Sequence, residues 1–391
     1  MMASVTRLTQ AGRLREATAA IQRALGGRPD AADAASAAAR APAPANDDGD
    51  VIDVEVRVIP DELLETEAPA AFVPPRPASP ASPAGEPAAP PASGERRGDE
   101  APGRFVAGSF ANGAGTRPYK LFIPGRRLAG PAPLVVMLHG CKQNPDDFAA
   151  GTRMNELAQQ QGWFVLYPGQ HKSANQMGCW NWFQEADQQR GRGEPSIIAD
   201  MTREIVAAHA IDANRVYVAG LSAGGAMAAI MATTYPELYA AAGIHSGLPH
   251  AAANDLVSAL RAMKQGPGAR RRGHTAEERN TVPTIVFHGD RDTTVHPCNG
   301  DEVIAQARWS SLAAVTPGRA ETLRGEVPGG RSFSRTIHRD AAGRVDAEHW
   351  VIHGAGHAWS GGSAAGSYTD PLGPDASGEM LRFFLEHAQR D

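Results

Sequence analysis

An α/β domain, mostly a parallel sheet with helices on both faces and preceded by a disordered N-terminal region, is the architecture that three features of this 391-residue chain predict. Short, continuously apolar runs such as Leu134-Val135-Val136-Met137-Leu138 and Thr284-Ile285-Val286-Phe287 have the composition of strands buried on both faces. Helical stretches separate these runs, and strand and helix alternation of that kind requires parallel strands joined by crossovers. Before Arg104 the composition shifts to Ala, Pro, Ser and acidic residues, which cannot bury enough apolar surface to offset the entropy lost on ordering.

The division expected is therefore residues 1–27 as an amphipathic helix, 28–103 as a Pro/Ala-rich disordered linker and 104–391 as the α/β domain. In the first segment Val5, Leu8, Leu14, Ile21 and Leu25 recur near helical period and Gly26-Gly27 stops them. Such a helix has no core of its own, so it docks on the main domain, lies on a hydrophobic surface or forms only in part. Prolines crowd the linker at Pro69, Pro74, Pro75, Pro77, Pro80, Pro83, Pro87, Pro90 and Pro91. Within it, Val51 to Ile59 alternates like a strand, either an isolated pairing segment or nothing stable.

From Arg104 the elements follow in order. Phe105-Val106-Ala107 and Tyr119 to Ile123 form two strands around a Gly-rich turn, and Leu134 to Leu138 is the first buried strand. A helix around Asp147 to Gln161 leads to the strand Trp163 to Tyr167, and a helix from Ile197 to Ala208 leads to the strand Val216 to Ala219. After a helix from Ala226 come the strand Ala242-Gly243-Ile244, a helix near Asp255 to Lys264, the strand Thr284 to Phe287 and a helix near Asp301 to Leu312. The strand His349 to Ile352 and a closing helix from Ser377 to Glu386 complete the domain. Ligands in such sheets bind beyond the carboxyl ends of the strands.

A net charge of −5 gives no electrostatic case for nucleic acid. The basic run Arg270-Arg271-Arg272 reads as a solvated loop. No apolar stretch approaches the roughly 20 residues that span a bilayer, so no transmembrane segment is expected. The N-terminus lacks the apolar core of an export signal, which leads to a cytoplasmic expectation, with secretion by a non-standard route as the alternative. Three cysteines, Cys141, Cys179 and Cys298, are too few for a disulfide scaffold.

Chemistry concentrates at Gly220-Leu221-Ser222-Ala223-Gly224-Gly225, a Gly-x-Ser-x-Gly pattern with a strand before it and a helix after it. That is a nucleophile elbow, whose tight turn needs small neighbours at Gly220, Gly224 and Gly225. A serine is a weak nucleophile until a histidine takes its proton, and an acid must hold that histidine's tautomer. Downstream, Asp292 in the loop after Phe287 is the preferred acid, with Asp290 second. A metal site from His288, Asp290, Asp292 and His296 is compatible in ligand type only, and no metal is expected. His357, flanked by glycine beyond the strand ending at Ile352, is the preferred base, and His353 is its rival. Oxyanion donors are expected at the backbone amides of Ala223, next to the serine, and of Cys141, in the loop after Leu138. Trp180 and Trp182, in Cys179-Trp180-Asn181-Trp182-Phe183, either wall a binding groove or cap the core. A Cys141–Cys179 bond would brace the oxyanion loop against this wall, but a reducing cytoplasm would leave it open.

Five motifs taken together, Leu138 to Gln143, Cys179 to Phe183, Gly220 to Gly225, His288 to Asp292 and Gly356 to Gly362, resemble the poly(3-hydroxybutyrate) depolymerase family of esterases. The resemblance spans about Arg104 to Asp391. It implies an α/β-hydrolase fold, the triad Ser222, Asp292 and His357, oxyanion amides at Cys141 and Ala223, and no cofactor. Short-chain 3-hydroxyalkanoate esters, as polyester or oligomer, are the implied substrate, and Trp180, Trp182 and Trp359 the expected substrate contacts. The N-terminal helix is then a candidate tether to a polymer granule. The same motif set resembles feruloyl and acetylxylan esterases, and a granule-associated protein that keeps the fold without catalysis is the alternative of another class.

Overall fold

A computed structural model describes residues 101–126, 128–267, 282–308 and 319–389. The expected N-terminal helix, nearly all of the linker, the Val51 to Ile59 strand, the Arg270-Arg271-Arg272 loop and the end of the Asp301 to Leu312 helix lie outside these residues. Among the described residues, ten strands make one sheet: β1 (Arg104–Asn112), β2 (Gly115–Ile123), β3 (Ala132–Leu138), β4 (Phe164–Pro168), β5 (Ile211–Leu221), β6 (Ala241–His245), β7 (Thr284–Gly289), β8 (Ala320–Glu326), β9 (Ser332–Arg339) and β10 (Val345–Ile352). Their order is β1-β2-β4-β3-β5-β6-β7-β10-β9-β8. The central six from β4 to β10 are parallel, and antiparallel strands flank them at both edges.

Helices α1 (Pro145–Thr152), α2 (Met154–Gln161), α3 (Gly193–Ala208), α4 (Ala223–Thr234), α5 (Leu256–Gln265), α6 (Cys298–Ala307) and α7 (Ala376–Leu385) connect or cover these strands. Local chemistry starts them: Asn144 accepts from the amides of Asp146 and Asp147 ahead of Pro145 in α1, and Asp255 with Ser258 forms a capping box on α5. Where one helix was expected around Asp147 to Gln161 there are two, because Arg153 takes a left-handed conformation at φ 55°. Every residue of β3, β4, β6 and β7 is buried, and each face of the sheet packs its own apolar cluster. On one face, α7 stacks Phe384 on Tyr217 of β5 at 4.8 Å between ring centres.

The antiparallel pair β8 and β9 was not anticipated. β8 is almost wholly exposed and polar, so it lacks the alternation that marks a half-buried strand. It exists because its backbone pairs with β9, which pairs in turn with β10. Two more short strands, β11 (Trp359–Ser360) and β12 (Thr369–Asp370), pair with each other apart from the main sheet.

The chain leaves β3 on one side for β4 and returns on the other for β5. The crevice beyond Leu138 and Gly220, which are partners across β3 and β5, is therefore the switch point of the sheet. Backbones approach closely there: a side chain on Gly224 would overlap the carbonyls of Leu138 and His139, and one on Gly220 would overlap Gly224. Gly224→Ala is accordingly expected to cost about 3 kcal/mol, as forced overpacking against backbone does. A urea midpoint unchanged from the parent would refute this tight fit.

Candidate active site

From Val216 through Tyr235 every residue is buried except Ser222, which is half-buried at the turn between β5 and α4. Its backbone sits at φ 58° and ψ −119°, a region that costs a non-glycine residue about 1–3 kcal/mol and persists only where surroundings enforce it. The enforcement is visible: Ser222 N donates to the His245 carbonyl at 2.9 Å, and Ser222 O accepts from Ala226 N at 2.9 Å.

The loops after β7 and β10 each bring one acid to one histidine. His357 Nδ1 lies 2.6 Å from Asp292 Oδ2, and His353 Nδ1 lies 3.0 Å from Asp290 Oδ2. Burial separates the pairs: side-chain exposure is 12 % and 0 % for His357 and Asp292, against 40 % and 35 % for His353 and Asp290. Asp292 Oδ1 also accepts from the amides of Thr294 and Val295, both at 2.8 Å. Burial opposes ionisation of Asp292, but hydrogen bonds from His288 and His357, the charge of His357 and the Val295 amide outweigh it and hold the carboxyl well below its usual range. Asp290 instead braces the histidine loop, accepting from Gly354 N at 2.7 Å. Among the described residues, no group of three or more His, Cys, Asp or Glu side chains is arranged to hold a metal ion.

Beyond β3 the loop His139-Gly140-Cys141-Lys142 lies against the elbow, where a side chain on Gly140 would stand 3.6 Å from Ser222 Cβ. Among the described residues, neither Cys141 N nor Ala223 N donates to a protein acceptor, so both amides are free for a ligand. His139 is buried and its role is one of orientation. Gln170 N donates to its Nε2 at 3.1 Å, so Nδ1 carries the proton and donates to the Gly140 carbonyl at 2.8 Å. Burial lowers its pKa to about 4, against smaller opposing effects from the Gly140 hydrogen bond and Asp147, which keeps this tautomer neutral. Gln143 ties the same loop outward, accepting from Gly140 N at 2.9 Å and donating to Asp147 and Ser367.

Cys141 and Cys179 form a disulfide, the bonded one of the two states that the sequence left open. The bond closes a loop across a sequence separation of 38 residues, worth roughly 4 kcal/mol by the chain-entropy relation. Reduction is therefore expected to lower Tm and, by loosening the Cys141 amide, to lower kcat. Activity that stays at the parent level in a fully reduced sample would separate this bond from the site.

The tryptophans expected to touch substrate do not reach solvent. Trp180 is 0 % exposed, Trp182 5 % and Trp359 1 %. Trp180 Nε1 donates to the His139 carbonyl at 3.1 Å and Trp359 Nε1 to Ser377 Oγ at 3.0 Å, so both brace the frame, and Trp182 belongs to the core. The core-capping reading of the Trp180–Trp182 loop replaces the groove-wall reading, since a large ring with one polar atom is satisfied inside when that atom finds a carbonyl.

One residue that the sequence reading missed joins two parts of the site. His245, fully buried at the end of β6, holds Ser222 N with its carbonyl, and its Nε2 accepts from Ser360 N at 3.0 Å in the segment after His357. Burial, with His288 and His357 adding to it, keeps its pKa well below the ordinary value. The only available signal was its position at a strand end next to Ser246-Gly247.

A parallel sheet with its switch point at a serine elbow defines the α/β-hydrolase class of fold. An acetyl xylan esterase from Aspergillus awamori shares that fold, with a TM-score of 0.54 and 22 % identity over 69 % of this chain and 94 % of that one. The family model described as Esterase PHB depolymerase matches residues 117–328, more than half of the chain, and the protein belongs to that family. It is similar to the poly(3-hydroxyalkanoate) depolymerase C of Paucimonas lemoignei, 35 % identical over 234 residues, or 58 % of this chain. The match spans 55 %, about half, of that depolymerase's length. It is also similar to feruloyl esterase B of Neurospora crassa, 34 % identical over 208 residues, covering 50 % of this chain and 69 % of that enzyme.

Proposed function

We propose that this protein is a serine esterase that hydrolyses 3-hydroxyalkanoate esters, as polymer or short oligomers, with Ser222 as nucleophile, His357 as base and Asp292 as its orienting acid. The observation that carries the reading is the buried 2.6 Å contact between His357 Nδ1 and Asp292, taken with a strained serine at the elbow that alone in its segment is not fully buried. Because Asp292 accepts at Nδ1, Nε2 is left with its lone pair to take the Ser222 proton. Oγ then attacks the ester carbonyl, and the charge on its oxygen is met by the free Cys141 and Ala223 amides, a donor pair of which each member is worth about 10²–10³ in rate. His357 returns the proton to the departing alcohol. Water, deprotonated by the same nitrogen, attacks the acyl-enzyme, and the carboxylic acid leaves with Ser222 restored.

A second reading, cleavage of feruloyl or acetyl esters on plant polysaccharide, is supported by the likeness to feruloyl esterase B and keeps the same machinery. The Cys141–Cys179 bond favours an oxidising compartment over the cytoplasm, which fractionation of source cells would test. The deciding experiment compares turnover of amorphous poly(3-hydroxybutyrate), methyl ferulate and acetylated xylan by the full chain and by a chain starting at Arg104. Release of 3-hydroxybutyrate oligomers is expected, and less of it without the N-terminal segment if that segment tethers the enzyme to granules. Preference for ferulate or acetylxylan would overturn the substrate; inactivity on all three, with no labelling by a fluorophosphonate, would favour a non-catalytic role.

A further inference from the structure

We infer that Glu194 is a positioning residue for the oxyanion loop, a buried carboxylate that sets the direction of the Cys141 amide through Gln170 and Asn181. The inference rests on the oxyanion role proposed above for that amide. Glu194 stands in the first turn of α3 with 2 % exposure, where a carboxylate suits the helix dipole. Its two oxygens accept from Gln170 Nε2, from Asn181 Nδ2 at 2.8 Å, from Asn181 N at 2.7 Å and from Arg117 Nη2 at 3.2 Å. Only the last of these is an ion pair, so most of what the carboxylate organises is loop rather than charge.

Both loop partners lead to the same peptide unit. Gln170 donates from its backbone to His139 Nε2, and His139 Nδ1 donates to the Gly140 carbonyl. That carbonyl shares a planar trans peptide with Cys141 N–H, so fixing the oxygen aims the N–H in the opposite direction. The side chain of Gln170 also donates to the Cys179 carbonyl at 2.9 Å. On the second route, Asn181 anchors the segment whose Trp180 holds the His139 carbonyl and whose Cys179 is bonded to Cys141. The carbonyls of His139 and Gly140 and the Cys141 side chain are thus all held by groups that converge on Glu194. A carboxylate is suited to this because it only accepts, and every neighbour it has on these loops donates.

Glu194→Gln tests it, since the amide places a donor among donors and so breaks at least one of these bonds. The expected result with p-nitrophenyl butyrate is a kcat lower by about tenfold or more, KM within about twofold, and weakening of a trifluoromethyl ketone inhibitor by the same factor as kcat. A group that served stability alone would lower Tm and leave kcat and inhibitor affinity within about twofold of the parent, and that outcome overturns the inference. Gln170→Ala removes one link without touching the ion pair and is expected to shift kcat and inhibitor affinity in the same direction by less. Should Glu194→Gln fail to fold, Gln170→Ala decides: unchanged kcat overturns the inference and a reduced kcat at constant KM supports it. A parent protein inert to both ester and fluorophosphonate would instead refute the proposed function, whereas an active parent matched by its variants refutes the Glu194 role alone.

Discussion

Ser222→Ala is expected to remove ester turnover, by about 10⁴- to 10⁶-fold in kcat, while Tm stays within about 2 °C of the parent. The chemical loss follows from the absence of any other hydroxyl at the turn. The stability is preserved because the elbow is held by backbone contacts that Ala retains, namely Ser222 N to the His245 carbonyl and Ala226 N to the carbonyl of position 222. The Ser222 side chain makes no cap on α4, so its deletion leaves no buried partner unsatisfied. Stopped assays with p-nitrophenyl butyrate, read beside a thermal melt, measure both halves. Turnover near the parent level would remove this serine from the mechanism.

Asp292→Asn is the second large effect, about 10⁴-fold in kcat, and its cause is a tautomer rather than a lost charge alone. Oδ1 of Asp292 is fixed by two amide donors, Thr294 N and Val295 N. In the asparagine only the carbonyl oxygen can occupy that place, so the amide nitrogen must face His357 Nδ1. A donor there selects the imidazole protonated on Nε2, which cannot accept the serine proton. A pH profile of folding gives an independent readout. The depressed carboxyl of Asp292 contributes stability that is present above the ordinary carboxylate range and is lost as pH falls through that range and below it. The asparagine lacks this contribution, so its Tm should fall less on acidification than the parent's. Near-parental kcat in a folded Asp292→Asn protein would contradict the assignment and redirect attention to Asp290.

Much of the site region was legible because its signals are local. The elbow announces itself within six residues, since only small side chains let β5 and α4 meet, and the acid and histidine loops follow apolar runs of strand length. Asp292 and His357 ranked ahead of Asp290 and His353 in the sequence, but what sets the two acid–histidine pairs apart was not legible. Asp290 and Asp292 are two residues apart and both pair with a histidine; burial of the second pair, set by packing around β7 and β10, distinguishes them.

The linear chain by itself determined the alternation of strand and helix, the serine turn and the family, because each rests on residue spacing and composition within short windows. Tertiary structure alone decided that Trp180, Trp182 and Trp359 face inward, that β8 and β9 extend the sheet, that Cys141 and Cys179 join, and that His245 and Glu194 hold loops far away in sequence. The physical reason is the same in each case: whether a polar atom finds its partner, or a ring its neighbours, depends on segments that only the folded sheet brings together.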